Sequence, residues 1–252
     1  MATRDKQIDI AVDGEHIAGT VITPATVVPG LLFVHGWGGS QQQYLTRARA
    51  VGGLGYVCLT FDLRGHARTD EQRDRVSRED NLCDLLAAYD VLAGQPGVNP
   101  SAIGIIGSSY GAYLAAIATS RRAVRWLALR APALYKDSGW ELPKRDLHND
   151  PDLAAYRRRS VQAKDNRALA ACAAFRGDVL VVESEHDDIV PHPVIANYVT
   201  ACVQARSLTS RLIEGADHAL SEESWQRAYT SFLISWLVEM VVGANDERSP
   251  DV

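Results

Sequence analysis

Four short stretches carry side chains suited to acyl transfer. Gly107-Ser108-Ser109-Tyr110-Gly111 fits G-x-S-x-G with Ser109 at its centre, between the apolar run "IGII" and an alanine-rich helical pattern. A sharp strand-to-helix turn there pushes the central hydroxyl out at its apex, and flanking glycines let neighbouring backbone come close. The hydroxyl then lies at a helix N-terminus, where partial positive charge favours a developing anion. Ser109 is the candidate nucleophile, and Ser108, facing the other way, reads as structural. The second stretch, His35-Gly36-Trp37-Gly38-Gly39, exposes backbone amides that can stabilise an oxyanion, and the donors are assigned as the Trp37 and Tyr110 amides. It lacks a G-K-[ST] ending and G-x-G-x-x-G spacing, which weakens a nucleotide reading. In the third, "VVESEHDDIVPH", Asp187 and Asp188 follow an apolar run, and either can orient a histidine. In the fourth, "LIEGADHALSEE", His218 stands in a turn. Serine, acid and histidine in this order supply a nucleophile, an orienting carboxylate and a general base. Because the base must be a neutral imidazole, activity is expected to rise with pH through a neutral-range ionisation.

Each of these stretches follows an apolar strand-like run, and the elements between them are helical. "LLFVH", a helix near 42–54, "YVCLTFD", a helix near 79–93, "IGIIGS" and the helix from Tyr110 alternate regularly. "RWLALR", "DVLVVES", a helix near 193–204, "LTSRLIE" and a long helix near 222–241 continue the pattern. Alternation of this kind implies a mostly parallel central sheet with helices on both faces, an α/β fold. Ligands of such sheets bind beyond the carboxyl ends of the strands, where all four stretches fall. Before the alternation, "QIDIAV" and "HIAGTVIT" flank Asp13-Gly14, the signature of an antiparallel hairpin. Residues of about 132–165 interrupt the rhythm with Pro132, Pro143 and Pro151 and read as a cap-like insertion, in which Asp150 is expected to N-cap a helix begun by Pro151. The expected organisation is one domain over 1–242 and a flexible polar tail over 243–252.

Bulk properties are ordinary for a soluble globule and argue against several kinds of partner. The chain has 252 residues, 46% hydrophobic, with a formal net charge of −5, so neither nucleic acid nor an anionic membrane is an expected partner. Arg157-Arg158-Arg159 reads as a solvated helix face. No apolar run approaches the roughly 20 residues that span a bilayer, and the polar N-terminus is unlike a signal peptide. Cys58, Cys83, Cys172 and Cys202 have no paired or metal-like spacing, which favours free thiols and a cytoplasmic location. The grouping of His186, Asp187, Asp188 and His192 matches no established ligand motif, so no metal and no cofactor are expected.

Through "HGWGG", "DLRGHARTD", "GSSYGA", "SEHDDIVP" and "GADHAL", which span residues 35–220, the chain resembles the α/β-hydrolase fold superfamily. Its elbow looks most like those of serine esterases, dienelactone-hydrolase relatives and peptidase-like members. It departs from dienelactone hydrolase itself, which has cysteine in place of Ser109, and from haloalkane dehalogenases and epoxide hydrolases, which have aspartate. The resemblance implies that Asp187 is the acid, with Asp188 the runner-up, and that Asp62, Arg64 and His66 are structural residues of a loop bordering the site. It implies hydrolysis of a small or medium carboxylic ester through an acyl-enzyme. An amidase, peptidase or acyltransferase using the same residues, and a non-catalytic ligand-binding module on this fold, stand as alternatives. Trp37, Tyr135, Trp140, Leu142 and Tyr156 either line an acyl pocket or anchor the insertion. Arg130, directly after a strand, either binds a substrate carboxylate or, the favoured reading, forms an internal salt bridge. Oligomeric state has no signal in the sequence.

Overall fold

The computed structural model describes residues 3–12, 15–24 and 27–246. β1 (Thr3–Val12) and β2 (Glu15–Pro24) form an antiparallel two-stranded sheet of their own, in register from Thr3 opposite Pro24 to Val12 opposite Glu15. The Asp13-Gly14 turn expected between them lies outside the described residues.

The main sheet is built from β3 (Val28–Val34), β4 (Val57–Thr60), β5 (Val98–Ser108), β6 (Trp126–Arg130), β7 (Asp178–Ser184) and β8 (Ser207–Ile213). Every pairing is parallel, in the order β4-β3-β5-β6-β7-β8. After β3 the chain steps outward to the edge strand β4, then returns to place β5 on the other side of β3. That reversal opens a crevice beyond the carboxyl ends of β3 and β5, and the two glycine-bearing stretches begin at those ends.

Period-two alternation divides the strand side chains between two cores. Leu32, Val34, Ile103, Ile105, Val179 and Val181 face one side, with α2 (Arg78–Ala93), α3 (Tyr110–Ala118), α5 (Arg167–Ala174) and α6 (His192–Ala201). Leu31, Phe33, Ile106, Leu180 and Val182 face the other, with α1 (Gln42–Gly52) and α7 (Glu223–Asp246). All nine residues of α3 are buried, as expected of an alanine-rich helix enclosed on every side. The final helix extends through residues 243–246, expected as tail. No helix among the described residues is long and apolar enough to cross a membrane.

Between β6 and β7 the insertion contains two 3-10 segments, Lys144–Asn149 and Ala163–Asp165, and the short α4 (Leu153–Arg157). It is tied to the start of α2, where Ser77 and Asp80 form a reciprocal capping box. Buried Arg78 donates to the carbonyls of Lys136 (2.6 Å) and Ser138 (2.7 Å), and the Lys144 N–H donates to Val76 O (2.7 Å). Trp140 Nε1 donates to the Glu79 carboxylate. Two expectations are corrected here. Helix α4 starts at Leu153, with Asp152 at its N-cap position making no side-chain cap bond; Asp150 lies two residues further out, where its carboxylate accepts the Asp152 N–H, pairs with Lys136 at 3.0 Å and so holds the turn that leads into the helix. Arg157 is not a solvated residue of a charged face: it donates to the carbonyls of Leu134 and Ile189 and lies over the Tyr135 ring, while Arg158 and Arg159 are exposed.

Candidate active site

Ser109 joins β5 to α3 with φ 52° and ψ −116°, a region that strongly favours glycine. The surroundings hold it there. Its N–H donates to Arg130 O (2.9 Å), and its carbonyl accepts from Tyr113 and Ala133 (both 3.1 Å). Neighbouring chain passes so close that side chains are excluded: a Cβ on Gly111 would stand 2.4 Å from the carbonyl oxygens of Val34 and His35, and one on Gly107 would stand 2.5 Å from Ala112 Cα. These glycines bring β3, β5 and α3 together at the crevice.

His218 and Asp187 arrive from the far side of the sheet. His218 follows β8, and its Nε2 lies 3.0 Å from Ser109 Oγ; its Nδ1 lies 2.6 Å from Asp187 Oδ2. With Nδ1 donating to the carboxylate, Nε2 is free to accept from the serine hydroxyl. Asp187 follows β7, and its Oδ1 accepts the N–H groups of Ile189 (2.9 Å) and Val190 (2.7 Å). Burial by itself pushes the Asp187 carboxyl up. The hydrogen bonds from His218, Val190 and Ile189, with the charge of His218, outweigh burial and hold it below the usual carboxylate range. Asp188 joins neither His218 nor Ser109. His192 points instead to Glu183, at 2.8 Å.

Facing Ser109 is the loop after β3. The amides of Trp37 and Tyr110 have no hydrogen-bond acceptor among the described residues. Two histidines shape this loop from behind. His35 Nε2 accepts the Leu63 N–H, and His66 Nε2 accepts the Gly38 N–H, each at 3.0 Å, with the rings edge-on at 4.9 Å. Burial and the nearby His35 push His66 down to about 4, and burial also lowers His35, so both stay neutral acceptors at neutral pH. Asp62 holds Gln41 through two hydrogen bonds of 2.8 Å, and Arg64 pairs with Asp84. All three residues of the "DLRGHARTD" loop named above thus support the site from outside it. Lys144 of the insertion, fully buried, lies 4.6–4.9 Å from the ring centres of Trp37, Tyr110 and Tyr135, so one cation contacts the side chains of both residues with unpaired amides.

A cleft of about 390 Å³ opens over Ser109 and His218. Of the five apolar and aromatic residues considered as its lining, only Trp37 borders it. Tyr135 and Trp140 are buried in the insertion's own packing, Tyr156 contacts Asn166, and Leu142 is exposed, so four of the five belong to the insertion and not to the cleft. Arg130 overturns its favoured reading as well. It makes no salt bridge among the described residues; its guanidinium donates to Ser108 Oγ (3.1 Å), Ser184 Oγ (3.4 Å) and the carbonyl of His218. One buried side chain therefore ties the chain beside Ser109, the end of the strand leading to Asp187, and His218 itself. The sequence reading missed Arg47, Tyr229 and Lys144. The only signal for the first two was helical periodicity, which puts Tyr44, Arg47 and Val51 near one side of α1 and Tyr229, Leu233 and Trp236 on one side of α7. Lys144 carried none.

The family model described as the Alpha/beta hydrolase family matches residues 31–230. An uncharacterized protein of Mycobacterium tuberculosis (strain CDC 1551 / Oshkosh) is 30% identical over 192 residues, covering 75% of this chain; the match spans 63% of the length of that relative. Among solved structures, one chain described with the metagenome-derived lipolytic enzymes LipS and LipT matches with TM-score 0.65 and 18% identity over 85% of this chain and 96% of its own length. Est1E from Butyrivibrio proteoclasticus, bound to ferulic acid, matches with TM-score 0.66 and 15% identity over 95% and 96%. Dienelactone hydrolase from Anabaena variabilis matches with TM-score 0.57 and 20% identity over 94% and 98%. At these identities the likeness is one of fold.

Proposed function

We propose that this chain, which belongs to the alpha/beta hydrolase family, is a serine-dependent hydrolase of small or medium carboxylic esters. The observation that carries this reading is the hydrogen-bonded series Ser109 Oγ, His218, Asp187, at 3.0 Å and 2.6 Å, on a strained apex beside two unpaired amides. His218 Nε2 takes the Ser109 proton as Oγ attacks the ester carbonyl, and the tetrahedral oxyanion accepts from the Trp37 and Tyr110 N–H groups. His218 then protonates the departing alcohol, leaving an acyl-enzyme. Water gives a proton to the same nitrogen, attacks the acyl carbon, and releases the carboxylic acid as Ser109 recovers its proton. Asp187 stays ionised and holds the imidazole in the tautomer this requires. The moderate size of the cleft supports an ester of modest length.

The direct test is labelling of the folded protein with a fluorophosphonate, followed by peptide mapping. Label confined to Ser109, absent from Ser109→Ala and from heat-denatured protein, is the expected result. No label on the folded chain would refute the activated serine and favour a ligand-binding module on the same fold. A panel of esters, amides and acyl acceptors then separates esterase from amidase and transferase.

A further inference from the structure

The cleft carries positive charge in its lining, and the one carboxylate that acts on Arg130, Asp187, lies behind His218 and is engaged by it. Arg47 and Arg130 both line it, and no aspartate or glutamate does, in a chain whose formal net charge is −5. Neither guanidinium forms a salt bridge among the described residues. Arg47 is held rather than loose: its Nε donates to Thr230 Oγ1 (3.1 Å), and its guanidinium lies 4.5 Å from the centre of the Tyr229 ring. That leaves its two terminal nitrogens, a planar fork of N–H donors, without a hydrogen-bond acceptor among the described residues. Behind it, the Tyr229 hydroxyl and Arg130 Nε are buried with no hydrogen-bond partner among the described residues, and both residues border the same cleft. Burial pushes the Tyr229 hydroxyl up to about 12, so it remains a neutral donor. Burial disfavours the charge of Arg130, and the nearby Arg47 adds to that, while Tyr44, Tyr229 and Asp187 favour it.

Unmatched, partly desolvated guanidinium groups are costly unless an anion completes them, and a fixed fork suits the two oxygens of a carboxylate. We infer that this cleft takes esters bearing a second, carboxylate group, with Arg47 as the residue that binds that carboxylate and Arg130 supplying charge from the floor. The inference rests on the serine-hydrolase reading for the reaction, but the anion subsite exists or fails independently of it. Arg130 already serves Ser108, Ser184 and His218, so Arg47 is the residue that separates anion binding from support of the site.

The test is calorimetric titration with glutarate, a dicarboxylate of the kind such hydrolysis releases, against the native chain, Arg47→Gln and Arg47→Lys. In parallel, kcat/KM is measured for the para-nitrophenyl monoester of glutaric acid and for para-nitrophenyl hexanoate, a neutral ester of similar length. Arg47→Gln is expected to weaken glutarate binding and lower the charged-to-neutral ratio of kcat/KM by about 10- to 100-fold, the loss of a charge-assisted contact. Arg47→Lys, with charge but no fork, is expected to fall between. Absence of glutarate binding to the native chain, or equal affinity in Arg47→Gln, overturns the subsite whatever the turnover. Loss of the serine reading shows separately, as no fluorophosphonate label and no hydrolysis of either ester, and the titration still decides the subsite.

Discussion

Replacing Ser109 by glycine should make the protein more stable than replacing it by alanine, although both changes remove the same hydroxyl. At φ 52° and ψ −116° the residue occupies a region where a Cβ costs about 1–3 kcal/mol. Alanine keeps that cost and glycine removes it. Against the gain stands the greater freedom of glycine in the unfolded chain, about 0.5–1 kcal/mol. Loss of the Oγ to His218 Nε2 hydrogen bond is common to both variants and cancels. The remainder is roughly 1 kcal/mol in favour of glycine, which for a chain of this length corresponds to about 2–4 °C in Tm. Urea denaturation followed by circular dichroism, with Tm by calorimetry, measures the difference directly. A glycine variant equal to or less stable than the alanine variant would show that the elbow is not strained in solution. The argument that the surrounding fold forces the hydroxyl to its apex would then fail.

Ser109→Ala should lower turnover by roughly four to six orders of magnitude while leaving the circular dichroism spectrum intact, a loss of the size expected when one member of a triad is deleted. Gly111→Ala places a Cβ about 1 Å inside ordinary contact with two backbone carbonyls; a destabilisation of about 3 kcal/mol or more is expected, read as a drop in urea midpoint. His66 is neutral in the fold down to about pH 4, whereas in the unfolded chain it takes up its proton near pH 6.5. The unfolded state thus binds more protons in that window, so stability present above pH 6.5 is lost as pH falls toward 4, by about 3 kcal/mol from this residue. His35 acts in the same direction. Urea midpoints from pH 7 to 4 should fall steeply, and a slope unchanged in His66→Gln would refute the assignment. Below that window, the stability contributed by ionised Asp187 is lost in turn as its lowered carboxyl is protonated. Arg130→Lys keeps the charge, but an ammonium cannot span Ser108, Ser184 and the His218 carbonyl together. A fall in kcat of about 10- to 100-fold is expected from displacement of His218, measured with a neutral ester so that kcat and KM are separated.

Local order determined much of this molecule. Apolar runs of period two separated by helical stretches dictate a parallel sheet, and chemistry-bearing residues immediately after β3, β5, β7 and β8 must then emerge at one edge, because parallel strands share a direction. The placement of Ser109, Asp187 and His218 within hydrogen-bonding reach follows from that rule and from small residues at 107 and 111, all legible in the chain itself. Other features are decided only when distant segments meet. Arg130 looked ready for a salt bridge, but the carboxylates near it in sequence point elsewhere, and its actual partners lie 22, 54 and 88 residues away. Nothing in the sequence marks Lys144, and only the insertion's folding back presents it to three aromatic faces. For His66 the resemblance implied a structural place beside the site but not its partner, the Gly38 amide 28 residues earlier. Arg47 and Tyr229 stand 182 residues apart in sequence, and only the packing of α1 and α7 on one face of the sheet joins them at the cleft. Periodicity reports which way a residue faces within its own element. What it faces depends on which element covers it, and that is settled by packing of the whole chain.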